Sequence, residues 1–320
     1  MPPFGPVHIL EPRAEHTHTI ILLHGRGSNG EEFAQELLES KLSNGNTLQE
    51  QLPTWRWVFP SSAELCSTAF QETMPAWFEA HSLTDVASRQ DLQMAGIRDS
   101  VQYVTRLLDE ETERMGGAAH RVVLGGISQG GAVAMWTLLC AGDRDVARRL
   151  GGFVGASTWL PFAENLERYL GGQNRTNHDA PGNNEAMGDD VTGGGGDDDD
   201  DVVQVSEADA FVKAMTASAR RTRHQRDASE ADQHPVPVFL AHGTDDAFVD
   251  VELGRHAARV LRKVGLKVSW TEYSGADQEG HWLKEPEEFD DILADPHRRT
   301  SADVPCKHRR EQGRKRVLVG

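Results

Sequence analysis

Cysteine is scarce, positive charge is outnumbered, and no long apolar run occurs in these 320 residues. The three cysteines, Cys66, Cys140 and Cys306, have neither metal-ligand spacing nor the even count of a disulfide framework. A reducing compartment is the simplest reading, with Cys66 and Cys140 as structural thiols rather than lipidation sites. Every apolar run falls short of a membrane span, so no stable membrane insertion is expected. The first residues, Met1-Pro2-Pro3-Phe4-Gly5-Pro6, carry neither the basic nor the apolar stretch of a secretory signal. A cytoplasmic location is therefore expected, with a nuclear one open through the Arg/Lys run near the C-terminus. The formal net charge of −17 argues against nucleic acid as a partner. There are no internal repeats. A chain of this length and apolar content can build one large α/β domain or two small ones.

Short apolar runs alternate with helical patterns along most of the chain. Thr19-Ile20-Ile21-Leu22-Leu23 reads as a strand feeding the loop at His24-Gly25, and Trp57-Val58-Phe59-Pro60 as a second strand. Leu92, Ile97, Val101, Val104, Leu107 and Leu108 recur at helical spacing. Arg121 to Gly125, Gly152 to Ala156, Val236 to Ala241 and Lys267 to Tyr273 supply further strands, and Val251 to Val264 a further helix. This order predicts an α/β fold, a mostly parallel central sheet with helices on both faces and no separate lid domain. Residues 1–170 and 234–295 are assigned to that single domain. Between them, residues 171–233 read as a disordered acidic insertion rich in Gly and Asp, with a short helix near Ala208 to Ala219. Gly193 to Gly196 followed by Asp197 to Asp201 cannot bury enough apolar surface to offset the entropy of ordering. Residues 296–320 read as a basic disordered tail.

Chemistry enters at Gly126-Ile127-Ser128-Gln129-Gly130, which fits G-x-S-x-G. Alone that pattern is weak, since an ordinary Gly-rich turn gives it too. Here a buried strand precedes it and the helical run from Gly131 to Cys140 follows, the setting of a nucleophile elbow. A serine hydroxyl needs a base to take its proton and a carboxylate to orient that base. Two aspartates, Asp245 and Asp246, follow the strand ending at Ala241, and residue chemistry alone leaves them level. Among 14 histidines, His281 is selected because it lies in the loop after the last strand. His24, His242 and His256 compete, but His24 and His242 close strands and read as loop supports. An oxyanion needs two backbone N–H donors. Gln129, next after the serine, and Arg26, in the early loop His24-Gly25-Arg26-Gly27, are the candidates. No histidine or cysteine spacing suggests a metal.

Leu23-His24-Gly25-Arg26-Gly27, Met74-Pro75-Ala76-Trp77-Phe78, Gly126 to Gly131, Ser157-Thr158-Trp159-Leu160-Pro161, His242 to Val249 and Gly280-His281 stand in this order. The set resembles the acyl-protein thioesterase and small carboxylesterase (phospholipase/carboxylesterase) family of the α/β-hydrolase fold, most of all its fungal branch. The resemblance implies Asp246 as the acid, His281 as the base, and Arg26 and Gln129 as oxyanion donors. It places Trp77 and Trp159 on the acyl-binding side of the cleft, although buried core tryptophans fit the sequence as well. It implies hydrolysis of S-acylated cysteines in proteins, or of lysolipids and small acyl esters, by a serine hydrolase with no cofactor. A broad carboxylesterase or lysophospholipase is the nearest alternative, and a catalytically silent binding protein on the same fold is another. The chain departs from the family pattern in three places: Arg26 stands where relatives usually have leucine, the insertion is long, and the last helix, around Pro286 to Asp295, is short. Oligomeric state is left open.

Overall fold

The computed structural model describes residues 2–69, 71–82, 85–140, 149–176, 206–217 and 236–294. Its centre is a seven-stranded sheet in the order β1-β3-β2-β6-β7-β8-β9. These strands are β1 (Val7–Leu10), β2 (His18–Leu23), β3 (Trp55–Pro60), β6 (Val122–Ile127), β7 (Gly152–Ala156), β8 (Pro237–Gly243) and β9 (Lys267–Tyr273). Every pairing is parallel except that of β1 with β3. The five inner strands are buried along their whole length, which is why they read as continuous apolar runs rather than alternating ones. A separate hairpin joins β4 (Ala63–Cys66) to β5 (Thr73–Ala76).

Helices cover both faces. On one lie α1 (Gly30–Glu39), the single turn α2 (Leu48–Gln51) and α8 (Glu287–Ala294), whose Phe33, Leu37, Leu48, Phe289 and Ile292 pack on Ile20, Leu22, Trp57 and Ile127. On the other lie α3 (Gln90–Arg114), α4 (Ser128–Cys140), α5 (Ala163–Thr176), α6 (Glu207–Ala217) and α7 (Val251–Lys263). The first eleven residues of α4 are buried on every side, so that helix has no polar face to mark it as amphipathic. None of the helices among the described residues is long and apolar enough to cross a membrane.

The sheet carries its strand ends in register. Leu23 lies beside Gly126, Ile127 beside Ala156, Ala156 beside Ala241, and Gly243 beside Tyr273. The loops that follow these residues therefore meet along one edge, outside the carboxyl ends of the strands.

The short helix expected near Ala208 to Ala219 is α6, Glu207–Ala217, and it packs against the core. Phe211 and Val212 are fully buried, and the Phe211 ring stands 5.8 Å from Trp136 and 4.8 Å from Phe162. Asp209 accepts hydrogen bonds from Asn165, Arg168 and Ser206, tying α6 to α5. Two adjacent apolar residues on one helix face outweigh the polar flanks on either side. The Gly/Asp-rich run and the basic tail lie outside the described residues.

Glu288, in the first turn of α8, is 3% exposed. One carboxylate oxygen accepts the Lys284 N–H at 2.8 Å, and the other has no partner. Burial drives its pKa up to about 8, with the nearby Asp291 charge adding to the rise and the Lys284 N–H only partly opposing it. A carboxyl raised from 4.5 to about 8 binds its proton more tightly in the folded chain than in the unfolded one. Its contribution to stability is thus whole below about pH 4.5 and is lost as the pH climbs toward 8. Urea denaturation of the wild type should show this loss, on the order of 3 kcal/mol between pH 5 and 8. Glu288→Gln should flatten that portion; identical pH slopes in the two proteins would refute the assignment.

Candidate active site

Ser128 sits where β6 turns directly into α4. Its φ is +53°, a left-handed conformation that costs a non-glycine residue about 1–3 kcal/mol. The turn exists because the two flanking glycines have no side chain. A Cβ on Gly130 would stand 2.3 Å from the Leu23 carbonyl oxygen and 2.4 Å from that of His24. One on Gly126 would stand 2.8 Å from the same Leu23 oxygen. The Thr158 hydroxyl donates to the Ser128 carbonyl at 2.7 Å and braces the turn from β7's side.

His281 Nδ1 lies 2.8 Å from Asp246 Oδ2. Facing a carboxylate, Nδ1 carries the proton, which leaves Nε2 as an acceptor. The other Asp246 oxygen accepts the N–H groups of Phe248 and Val249, each at 2.9 Å. Burial pushes the Asp246 pKa up, but bonds from His242 and His281 and from the Val249 N–H outweigh it, holding the carboxyl far below its usual range. Asp245 turns the other way and accepts the Gly275 N–H at 2.8 Å. The two aspartates thus differ in direction: Asp246 meets the histidine and Asp245 pins a loop.

The His281 loop interlocks with the aspartate turn. Gln278, Glu279 and Gly280 all have positive φ, and Ala247 N–H donates to the Glu279 carbonyl at 3.0 Å. A Cβ on Gly280 would stand 2.6 Å from the Asp245 carbonyl oxygen, so the two loops touch backbone to backbone there. Phe248 packs edge-on against the His281 ring at 5.4 Å and fixes its tilt.

The early loop is held just as firmly. His24 is fully buried, with Nδ1 donating to Gly25 O at 2.6 Å and Nε2 accepting the Ser62 N–H at 3.0 Å. Burial lowers its pKa to about 4, only partly opposed by the bond to Gly25, so it is a neutral brace. Gly27 N–H donates to Pro75 O at 2.8 Å. Gln129 is buried, and its side chain accepts the Trp77 N–H and donates to Phe78 O. Trp77 Nε1 donates to His24 O at 2.9 Å. His242 donates from Nε2 to Val249 O at 2.9 Å, supporting the aspartate turn. His256 pairs with Glu167 on the surface, away from the site.

Ser128, His281 and Arg26 line one cleft of about 410 Å³. Its walls include Phe33, Met74, Ile127, Phe248 and Trp282. Trp77 and Trp159, expected on the acyl side, do not line it: both are buried, Trp77 bonded to the His24 carbonyl and Trp159 packed edge-on against Phe78. They support the walls from behind. Sequence reasoning missed Phe33, Trp282 and Phe248 as wall residues. Phe248 alone carried a signal, as a large apolar side chain two positions after the aspartate. Among the described residues no group of three or more His, Cys, Asp and Glu side chains could hold a metal ion.

A strained serine, a histidine with a free acceptor nitrogen and a carboxylate behind it are the parts of a nucleophilic acyl transfer site. Comparison with known proteins agrees in kind. The family model described as phospholipase/carboxylesterase matches residues 5–181. Acyl-protein thioesterase 1 of Yarrowia lipolytica is 34% identical over 182 residues, 57% of this chain and 72% of the relative. Acyl-protein thioesterase 1 of Gibberella zeae is 26% identical over 285 residues, 88% of this chain and 90% of the relative. Among solved structures, Zea mays acyl-protein thioesterase 2 superposes with a TM-score of 0.56 at 22% identity, covering 90% of this chain and 96% of the other.

Proposed function

The chain belongs to the phospholipase/carboxylesterase family of hydrolases, and we propose that Ser128, His281 and Asp246 are its catalytic triad. What carries the reading is the 2.8 Å contact of His281 with a fully buried Asp246, facing the cleft that Ser128 also lines. Ser128 Oγ attacks the acyl carbonyl while His281 Nε2 takes its proton. Asp246 keeps the proton on Nδ1 and stabilises the imidazolium that forms. The backbone N–H groups of Arg26 and Gln129 bind the oxyanion. His281 then protonates the leaving thiol or alcohol. Water, deprotonated by the same nitrogen, releases the acid from Ser128.

The substrate we infer is an S-acylated cysteine of a protein. Support comes from the relatives named as acyl-protein thioesterases and from the apolar cleft walls. Three substrates with one acyl chain test it: an S-acyl cysteine peptide, its serine O-ester and a lysophospholipid. The wild type should favour the S-acyl peptide over the lysolipid by about tenfold or more in kcat/KM. The reverse order would make the protein a lysophospholipase or broad carboxylesterase. No turnover of any, with no labelling by a serine-directed phosphonate in folded protein, would return it to a binding role.

A further inference from the structure

Gln129 is 1% exposed, and its amide is bonded at both ends. Oε1 accepts the Trp77 N–H at 2.9 Å, and Nε2 donates to the Phe78 carbonyl at 2.8 Å. Neither Trp77 nor Phe78 lines the cleft, so these bonds are made in the core behind it. They reach the segment that holds the early loop. Trp77 Nε1 donates to His24 O at 2.9 Å, and Pro75 O accepts the Gly27 N–H at 2.8 Å. These two bonds fall on either side of Arg26. The segment is itself pinned to α3: Ser100 donates to Trp77 O at 2.6 Å, and a Cβ on Gly96 would stand 2.7 Å from Phe78 Cα. The early loop also presses on the first turn of α4, where a Cβ on Gly130 would stand 2.4 Å from His24 O. The main chains of Arg26 and Gln129 therefore belong to one closed frame, and the Gln129 amide is the side-chain strut across it.

We propose that the Gln129 side chain is a positioning residue for the oxyanion site: by tying α4 to the Trp77-Phe78 segment, it fixes the spacing between the N–H groups of Gln129 and Arg26. The proposal rests on the function assigned above to those two donors. Oxyanion donors are worth most when they need not move as the charge develops. Two donors on separate loops meet that condition only if something joins the loops. A primary amide suits the task because it carries an acceptor and a donor in one plane. An aliphatic side chain of the same length would fill the space but leave Trp77 N–H and Phe78 O unpaired in the core, a cost that shifting the segment relieves. A misplacement of about 1 Å at a reacting centre costs on the order of 10² in rate.

Gln129→Met and Gln129→Glu test it on a neutral p-nitrophenyl ester. Gln129→Met keeps the length and loses both bonds. Its kcat should fall by about 10- to 100-fold with KM within about threefold, because the full oxyanion charge develops only beyond the ground state. A trifluoromethyl ketone takes up Ser128 Oγ at its carbonyl carbon, the serine proton passes to His281, and the carbonyl oxygen becomes the same oxyanion. Its inhibition should weaken by the same factor as kcat/KM. The acid limb of the kcat/KM profile should stay in place, since His281 and Asp246 stand on other loops. In Gln129→Glu a protonated carboxyl can accept from Trp77 N–H and donate to Phe78 O, as the amide does, whereas an ionised one faces Phe78 O with a second acceptor. Burial raises the pKa of such a carboxyl, so the variant-to-wild-type ratio of kcat should be about tenfold higher at about pH 5.5 than at about pH 8.5. A Gln129→Met kcat within about twofold of wild type, a loss accompanied by a shifted acid limb, or a flat ratio in Gln129→Glu would each overturn the proposal while leaving the hydrolase reading intact. A wild type that neither hydrolyses the ester nor takes up the ketone would overturn both. Should Gln129→Met not fold, the pH dependence of the Gln129→Glu ratio decides, read where circular dichroism shows that variant folded.

Discussion

Ser128→Ala should lower kcat by between about 10³- and 10⁶-fold, with the protein still folded. The loss is this large because the members of a triad act as one unit, so removing the nucleophile leaves only what the oxyanion donors and binding supply. The fold should tolerate the change. Alanine keeps the Cβ that faces Gly25, and the braces of the turn are made by other atoms: Thr158 bonds the Ser128 carbonyl, and Gly126 and Gly130 provide the close backbone approach. Alanine inherits the strain at φ +53° rather than adding to it. Activity on a p-nitrophenyl ester, read beside a urea unfolding curve, separates chemistry from folding. A serine-directed phosphonate should add its mass to the wild-type peptide containing Ser128 and leave the variant unmodified. A variant within about tenfold of wild type, or one still labelled, would move the nucleophile elsewhere.

How much of this site was legible beforehand depended on whether backbone or side-chain direction carried the information. The elbow could be read because its chemistry is backbone chemistry: a serine at positive φ needs small neighbours, and Gly126 and Gly130 appear as letters in the sequence. The inner strands could be read because burial on both faces leaves a continuous apolar run. β1 could not, being four residues long, at the sheet edge and partly exposed, so it leaves no clear period. α6 was legible as a short helix but not as part of the core. Its two anchors, Phe211 and Val212, declare their burial only once Trp136 and Phe162 are beneath them. The choice between Asp245 and Asp246 was open to residue chemistry, because adjacent residues differ only in direction. Resemblance implied Asp246; in the structure the two aspartates have separate partners, Gly275 N for Asp245 and His281 Nδ1 for Asp246. Trp77 and Trp159 show the opposite case: motif position suggested the cleft wall, whereas the indole of Trp77 is spent on the His24 carbonyl.

Asp246→Asn should lower kcat on the order of 10⁴-fold, and by a route distinct from loss of the serine. Asparagine can keep its oxygen toward the Phe248 and Val249 N–H groups, as the aspartate does, so the turn has no reason to open. Its amide then points N–H at His281 Nδ1, now 2.8 Å from a donor instead of an acceptor. The imidazole responds by moving its proton to Nε2, which is the nitrogen that must be empty to accept from Ser128. The same amide meets His242 Nε2, 3.4 Å from Asp246 Oδ2, donor to donor, which adds a cost absent in the wild type. Asp245→Asn is the paired control. Its partner is the Gly275 N–H, which an amide oxygen accepts equally well, so kcat should stay within a few-fold. Equal losses in the two variants would mean that the loops, not the tautomer, were disturbed. A large loss at Asp245 with little at Asp246 would reverse the assignment that the 2.8 Å contact supports.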